Sequence, residues 1–391
     1  MTVAGDGQTG THRWRRGLEG LVGVPATEGN RIDLLRNGDE IFPAMLDAIR
    51  SAQRTIDMIT YVYWTGDVAQ HFADALSERA RAGLRVRILL DAVGAHAMSE
   101  ELGERMKAAG CQMEWFRPPS SWKLRDVDHR THRKVLIADE QVAFVGGVGI
   151  AREWEGDAQD PSHWRDTHVR VRGPAVDGLR AAFVGNWAET GRAVFDEHDR
   201  FSEQGRAGDA TVQVVVCPSQ QGWTELCTVL HAFIGLAERS LRVTTAYFVP
   251  DEHFRRMLCA AARRGVDVDV LIPGPHIDKR VVQVAGEADY AELLEAGVRL
   301  WRYQPTMLHA KVLTVDDTVA CVGSANFDQR SLRLNEEANI VVFDPGVVAT
   351  LDRHFAEDLT LSEPVDPERW GRRGPLQRVK EKLTRPLDSE L

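Results

Sequence analysis

The chain has 391 residues, 43% hydrophobic and 27% charged, with 48 Lys/Arg against 58 Asp/Glu and a formal charge of −10. That length exceeds one ordinary domain and implies two or three. No apolar run nears the ~18 residues of a membrane span, the N-terminus shows no secretory h-region, and the acidic balance argues against a protein that grips nucleic acid mainly through phosphates. The five cysteines are far apart and form no CxxC pair. They are expected as buried or idle thiols in a reducing compartment, not as a disulfide framework or a zinc site.

In chain order, residues 1–28 form a basic, amphipathic segment in which Trp14, Leu18, Leu21 and Val22 recur at helical spacing beside Arg13, Arg15 and Arg16. Such a segment packs on its own domain or lies on anionic lipid. Arg31–Leu35 reads as a strand, Glu40–Gln53 as a helix and Thr55–Tyr63 as a strand. A helix with Val68, Phe72 and Leu76 on one face follows. Then come the strand Val86–Asp91, the helix Glu100–Ala109, and the strands Gln112–Phe116, His132–Asp139, Val142–Gly147 and His168–Arg172. A helix over Val176–Thr190 closes the first half.

The order then repeats. Val212–Val216, Leu241–Val249, Val266–Ile272, Val298–Tyr303, His309–Asp316, Val319–Gly323 and Ala338–Phe343 read as strands. Helices fall at Thr224–Glu238, around Phe254 and Leu258, and at Tyr290–Ala296. "RAGLRVRILLD" answers "RRGVDVDVLIP", and "MKAAGCQMEWFRP" answers "LLEAGVRLWRYQP". An internal duplication accounts for this. The fold class expected is α/β: two similar α/β/α sandwich domains, 29–204 and 210–362, related by a pseudo-twofold. A basic tail, 363–391, follows. Between Arg369 and Leu391 it carries seven Lys/Arg against three acids.

Each half holds one His-x-Lys-x4-Asp motif, His132, Lys134 and Asp139 in the first and His309, Lys311 and Asp316 in the second. A glycine pair or Gly-Ser follows at the same offset, Gly146-Gly147 and Gly323-Ser324. Strand alternation puts His and Lys on one face, where they would be costly to bury without an anion. Two such pairs around one cavity suit a phosphodiester: the lysines neutralise its oxygens and the imidazoles divide nucleophile and acid roles. The motif aspartates, at the far ends of the strands, are expected to be structural. No metal-ligand spacing occurs, and the chemistry needs no cofactor.

On these motifs, together with "WRDTHVRVRGPAV", "TAYFVPD" and "VGSANFDQRSLRLNEEANI", the chain resembles the phospholipase D superfamily and, within it, the bacterial cardiolipin synthases. The resemblance runs from about Gly29 to about Leu361. It implies that His132 and His309 serve as nucleophile and general acid, that Lys134 and Lys311 bind phosphoryl oxygens, and that Asn326, with Ser324 and Gly147 beside it, contacts substrate. It also implies that Glu337 orients the histidine of its own half, with Asp166 as its counterpart. The family's Asn is replaced by Gly149 in the first half. The activity implied is phosphatidyl transfer, forming cardiolipin from phosphatidylglycerol through a phosphohistidine. The alternatives are a hydrolytic phospholipase D, a superfamily nuclease and a non-enzymatic lipid binder. The partners implied are phospholipid and an anionic membrane surface, no nucleic acid, and an oligomeric state left open. The location is the cytoplasm, at the inner face of the cell membrane.

Three further features bear on access. The first half carries an insertion, Pro119–Thr131, with Trp122, Lys123, Arg125 and Arg130, which is expected to cover the site and hold an anionic acceptor. His276 and Asp278 are expected near the cavity mouth. Of Tyr61, Tyr63, Trp64, Tyr247 and Phe248, most are expected in the core and one or two at the entrance.

Overall fold

The computed structural model describes residues 6–118, 129–201, 203–218, 223–367 and 370. The basic tail beyond Trp370 and most of the insertion, including Trp122, Lys123 and Arg125, lie outside the described residues.

Each half builds a mixed sheet on the same plan. In the first, Thr55–Thr60, Arg85–Asp91 and Gln112–Phe116 run parallel. Val135–Ala138, Val142–Gly146 and Thr167–Arg172 add antiparallel neighbours. The second half repeats this with Ser240–Thr244, Asp267–Pro273 and Arg299–Tyr303, then Val312–Val315, Val319–Gly323 and Glu337–Phe343. The two sheets are not separate. Thr27–Arg36 pairs antiparallel with Ala210–Cys217, so the strands form one continuous order of 15 with the duplication mirrored about that junction.

Burial follows the sequence pattern. Arg85–Asp91 is inaccessible at every position, as a strand covered on both faces requires. The outer face of the first sheet packs under the helices Asn37–Ser51, Asp67–Arg81 and Glu100–Ala108. The inner faces of both sheets share one core, filled by the helices Ala175–Glu189 and Pro345–Thr360. The second of these helices and Arg280–Glu287 were not anticipated from periodicity.

The N-terminal helix, Asp6–Val22, docks on the second half although the chain leads from it into the first. Trp14 and Leu18 are buried, Trp14 edge-on to Phe233, and Arg13 pairs with Glu238. Trp14, Leu18 and Val22 of its apolar stripe therefore face protein, whereas Leu21 is exposed. All five cysteines are buried and unpaired.

The carboxylates of the motif aspartates hold backbone turns. Asp139 sits at φ 54° and Asp316 at φ 52°, just past their strands. The Asp139 carboxylate accepts the backbone N–H groups of Gln53, Arg54 and Thr55. Asp316 does the same for Glu238, Arg239 and Ser240. Each therefore pins the turn that enters the next strand over. Asp139→Ala removes a charged acceptor from three donors and should cost about 2–4 kcal/mol of stability, with Asp316→Ala close to it. Chemical denaturation checks this, and turnover measured well below each variant's Tm should survive.

Candidate active site

The strands expected to carry His and Lys begin only after them, at Val135 and Val312. His132, Lys134, His309 and Lys311 lie on the approach to those strands, and there the backbone pairs across the duplication. His132 N–H donates to Glu336 O, and Glu336 N–H donates to Arg130 O, both at 2.9 Å. In the mirror position His309 N–H donates to Arg165 O at 2.7 Å, and Arg165 N–H to Met307 O at 2.9 Å. Each motif is thus stitched to the segment that opens the last strand of the opposite sheet.

This stitching corrects the expected carboxylate pairing. Glu337 orients His132 of the first half, not the histidine of its own: Nδ1 lies 2.9 Å from Oε1. Asp166 in the first half takes Nδ1 of His309 at 2.8 Å. Both carboxylates are fully buried. Nδ1–H donation fixes the tautomer and leaves each Nε2 as the reactive nitrogen. Lys311 Nζ is 3.1 Å from Nε2 of His309, and Lys134 Nζ bonds His132 O at 2.8 Å.

Electrostatics follow from burial. It pushes His132 down to about 4 against the pull of Glu337. His309 is pushed to about 3 by burial and then by Lys311, against Asp166. Burial also lowers Lys134 to about 7 and Lys311 to about 8, opposed by the two carboxylates. Burial works against ionising Asp166 and Glu337. The imidazole hydrogen bonds and the lysines more than offset it and hold both below the usual carboxylate range. Burial thus favours the neutral form of both imidazoles. A phosphodiester placed there would favour the protonated forms of both lysines and of one imidazole.

Gly147 and Ser324 hold mirror positions, each beside one of the two carboxylates. The Ser324 hydroxyl donates to Glu337 and accepts the Ala338 N–H. At Gly147 a Cβ would stand 2.4 Å from Asp166 Oδ1, so only glycine leaves room for that carboxylate. The second side-chain donor to Asp166 is instead the Trp154 indole N–H at 2.9 Å, beside the Thr167 backbone N–H at 2.7 Å. Sequence reasoning missed Trp154. Its one signal was an aromatic close after the glycine pair, in "AREWEGD". Trp154 and Trp164 flank the His309 ring, with centroids at 5.1 and 5.5 Å, whereas Tyr61 stands edge-on to His132 at 5.1 Å. Trp154 also explains Gly149. A Cβ there would meet Val62 at 2.6 Å and Trp154 at 3.1 Å, so the family's Asn has no space.

Asn326 does reach open space. With Tyr61, His132, Tyr247 and Asp328 it lines a cleft of about 190 Å³. Tyr61 and Tyr247 are therefore the entrance aromatics, while Tyr63 and Phe248 are core. Asp278 accepts the Tyr247 hydroxyl at 2.8 Å beside this mouth, and His276 is not among the lining residues. Arg130, expected as an acceptor contact on the insertion, is buried and committed to Asp91 with two contacts at 3.0 Å.

Three outcomes test this geometry. His132→Ala and His309→Ala should each reduce turnover by ~10⁴ or more, since each removes a reacting group from one shared site. Glu337→Gln should move the His132 Nδ1 resonance in ¹⁵N NMR and leave that of His309, with turnover down ~10²–10⁴. Retention of the His132 signal and loss of the His309 signal would show pairing within halves. As pH rises through about 7 and 8 the lysines lose their protons and phosphate affinity falls, so kcat/KM should decline over that window.

Comparison with known proteins identifies the family. The family model described as cardiolipin synthase, PLD-like domain, matches residues 45–154 and 230–359. The chain is 36% identical over 364 residues to cardiolipin synthase A of Pseudomonas aeruginosa, covering 89% of this chain and 72% of that protein. It is 35% identical over 370 residues to a cardiolipin synthase of Geobacillus kaustophilus, covering 93% and 73%. Among solved structures it is similar in fold to a phosphatidylserine synthase of Haemophilus influenzae, with TM-score 0.69, 15% identity, and 97% and 98% of the two chains covered. With both motifs, their crossed carboxylates and these matches over most of its length, the chain belongs to the cardiolipin synthase family of phospholipase D-like proteins.

Proposed function

We propose that the protein is a phosphatidyltransferase that forms cardiolipin from phosphatidylglycerol. The observation that carries this reading is the pair of crossed His–carboxylate dyads in one cavity with Lys134 and Lys311. The relatives named above, which are cardiolipin synthases, support the substrate class.

The reaction runs in two displacements. The Nε2 lone pair of one histidine attacks the phosphorus of a phosphatidylglycerol, and the P–O bond to the glycerol breaks. The opposite imidazolium gives its proton to that glycerol oxygen, which leaves as glycerol. The phosphatidyl group now rests on the first histidine as a phosphohistidine. The hydroxyl of a second phosphatidylglycerol then gives its proton to the second, now neutral, imidazole and attacks phosphorus. The P–N bond breaks and cardiolipin is released. Lys134 and Lys311 balance the charge on the non-bridging oxygens in both transition states. The carboxylates stabilise the imidazolium without taking the proton.

No helix among the described residues is long and apolar enough to cross a membrane. A lipid substrate calls for contact with a membrane surface, for which the basic tail is the first candidate. Such contact is worth ~1 kcal/mol per basic side chain and is screened by salt. The test is incubation with phosphatidylglycerol vesicles followed by lipid mass spectrometry. Cardiolipin with equimolar glycerol is the expected result. Phosphatidic acid alone would make the protein a hydrolase, and unchanged lipid would end the enzymatic reading.

A further inference from the structure

The surface outside the catalytic cleft has two neighbouring features that the chemistry does not use. The first lies beside Lys279 and Val282, which line the cleft. Between them in the chain stand Arg280 and Val281, both turned to solvent, Val281 at 44% exposure. Among the described residues neither Lys279 nor Arg280 has an acid as ion-pair partner. The Lys279 ammonium lies instead 5.6 Å over the Tyr247 ring.

The second feature is an aromatic cluster reached through the π-helical turn Arg330–Leu334, whose Arg330 and Ser331 also line the cleft. The Leu332 carbonyl accepts the Thr224 hydroxyl at 3.0 Å, and Arg333 bonds Asp251 at 2.7 Å. Those contacts bring the starts of the helices Glu225–Leu236 and Glu252–Arg263 up to the turn. Trp223, the residue before Thr224, is 49% exposed. Its indole is nevertheless braced. The N–H donates to Thr228 at 2.9 Å, and the ring stacks on buried Phe254 with centroids 5.9 Å apart. His231 and His253 stand edge-on to it. A large ring held rigidly in an exposed position marks a contact surface.

The charge beside these apolar groups selects the partner. An indole next to unpaired cations fits the boundary of an anionic bilayer, where the ring lies at headgroup level and the cations meet lipid phosphates. The exposed pair Phe195 and Phe201, on the linker between the halves, does not fit it. Residues 195–203 carry Asp196, Glu197, Asp199 and Glu203 against Arg200 alone.

We propose that the face of the second half around Trp223, Arg280 and Val281 docks on an anionic lipid surface, with the indole at headgroup level and the cleft mouth held against the bilayer. This deepens the transferase reading above and rests on its lipid substrate. It assigns a contact to the folded body itself, separate from the basic tail. A phosphodiester then reaches the histidines while its acyl chains stay out of water, which removes the cost of exposing them.

The full-length protein is mixed with phosphatidylglycerol vesicles whose acyl chains carry bromine, and tryptophan fluorescence and co-sedimentation are read together. Binding should quench the wild-type fluorescence, and Trp223→Phe should lose most of that quenching. Arg280→Ala should weaken co-sedimentation about fivefold at low salt, with the difference closing at high salt. Both variants should turn over a monodisperse short-chain phosphatidylglycerol at the wild-type rate, because neither side chain lines the cleft. Phe195→Ala should bind and quench as wild type does. Full quenching in Trp223→Phe, unchanged affinity in Arg280→Ala, or a wild type that ignores the vesicles would each overturn the docking face. Vesicle binding that depends on Trp223, with no turnover of any phosphatidylglycerol, would leave the face standing and sink the transferase reading.

Discussion

Asp166 and Glu337 are buried beyond reach of water, where an unmet carboxylate would cost several kcal/mol. Each is met by an imidazole from the opposite half, and the segments that carry them are bonded backbone to backbone across the same seam. Neither half can complete a histidine dyad alone. The continuous sheet, the shared inner core and the N-terminal helix docked on the second half all serve this constraint, because a shift of one half past the other would uncouple both dyads together. Breaking one buried partner of such a pair leaves the other stranded, so the seam is also where the fold is least tolerant of change.

The support behind the two dyads differs although their front faces match. Arg165, behind the first carboxylate, bonds Asp358, which also takes Arg36. Behind the second, Glu336 is met by Arg117 and by Asn186. One carboxylate takes its extra hydrogen bond from an indole and the other from a hydroxyl. Gly149 leaves the space that Trp154 needs and Gly147 the space that its acceptor Asp166 needs, so the four residues form one packing solution. Gly149 is thus no simple loss of a donor from the first half. Trp154 and Trp164 flank His309, while a polar cleft opens beside His132. An enzyme that must tell an alcohol from water gains from that division.

Much of this was legible in the residues. The duplication, the strand order within each half, the two His-x-Lys pairs and the remote motif aspartates all follow from periodicity, repeated wording and equal offsets, since local sequence fixes local conformation. Asp139 and Asp316 read as structural because seven residues of chain carry them to the far ends of the strands from His132 and His309, where their carboxylates bond backbone N–H groups. Lys134 and Lys311 read as phosphate ligands because a buried ammonium needs an anion.

What the sequence could not decide is which residues meet across the seam. Asp166 and Glu337 stand in equivalent places in their own halves, and nothing along the chain distinguishes pairing within a half from pairing between halves. The backbone bonds His132–Glu336 and His309–Arg165 decide it, and they exist only once the two sheets share an edge. The tertiary structure likewise turned Ser324 and Gly147 toward carboxylates, withdrew Arg130 onto Asp91, and gave the N-terminal stripe a protein partner. Composition and spacing determine which groups the protein owns. Their partners are set by long-range packing, because the acids and imidazoles concerned lie 143 and 205 residues apart and come together only through the pseudo-twofold.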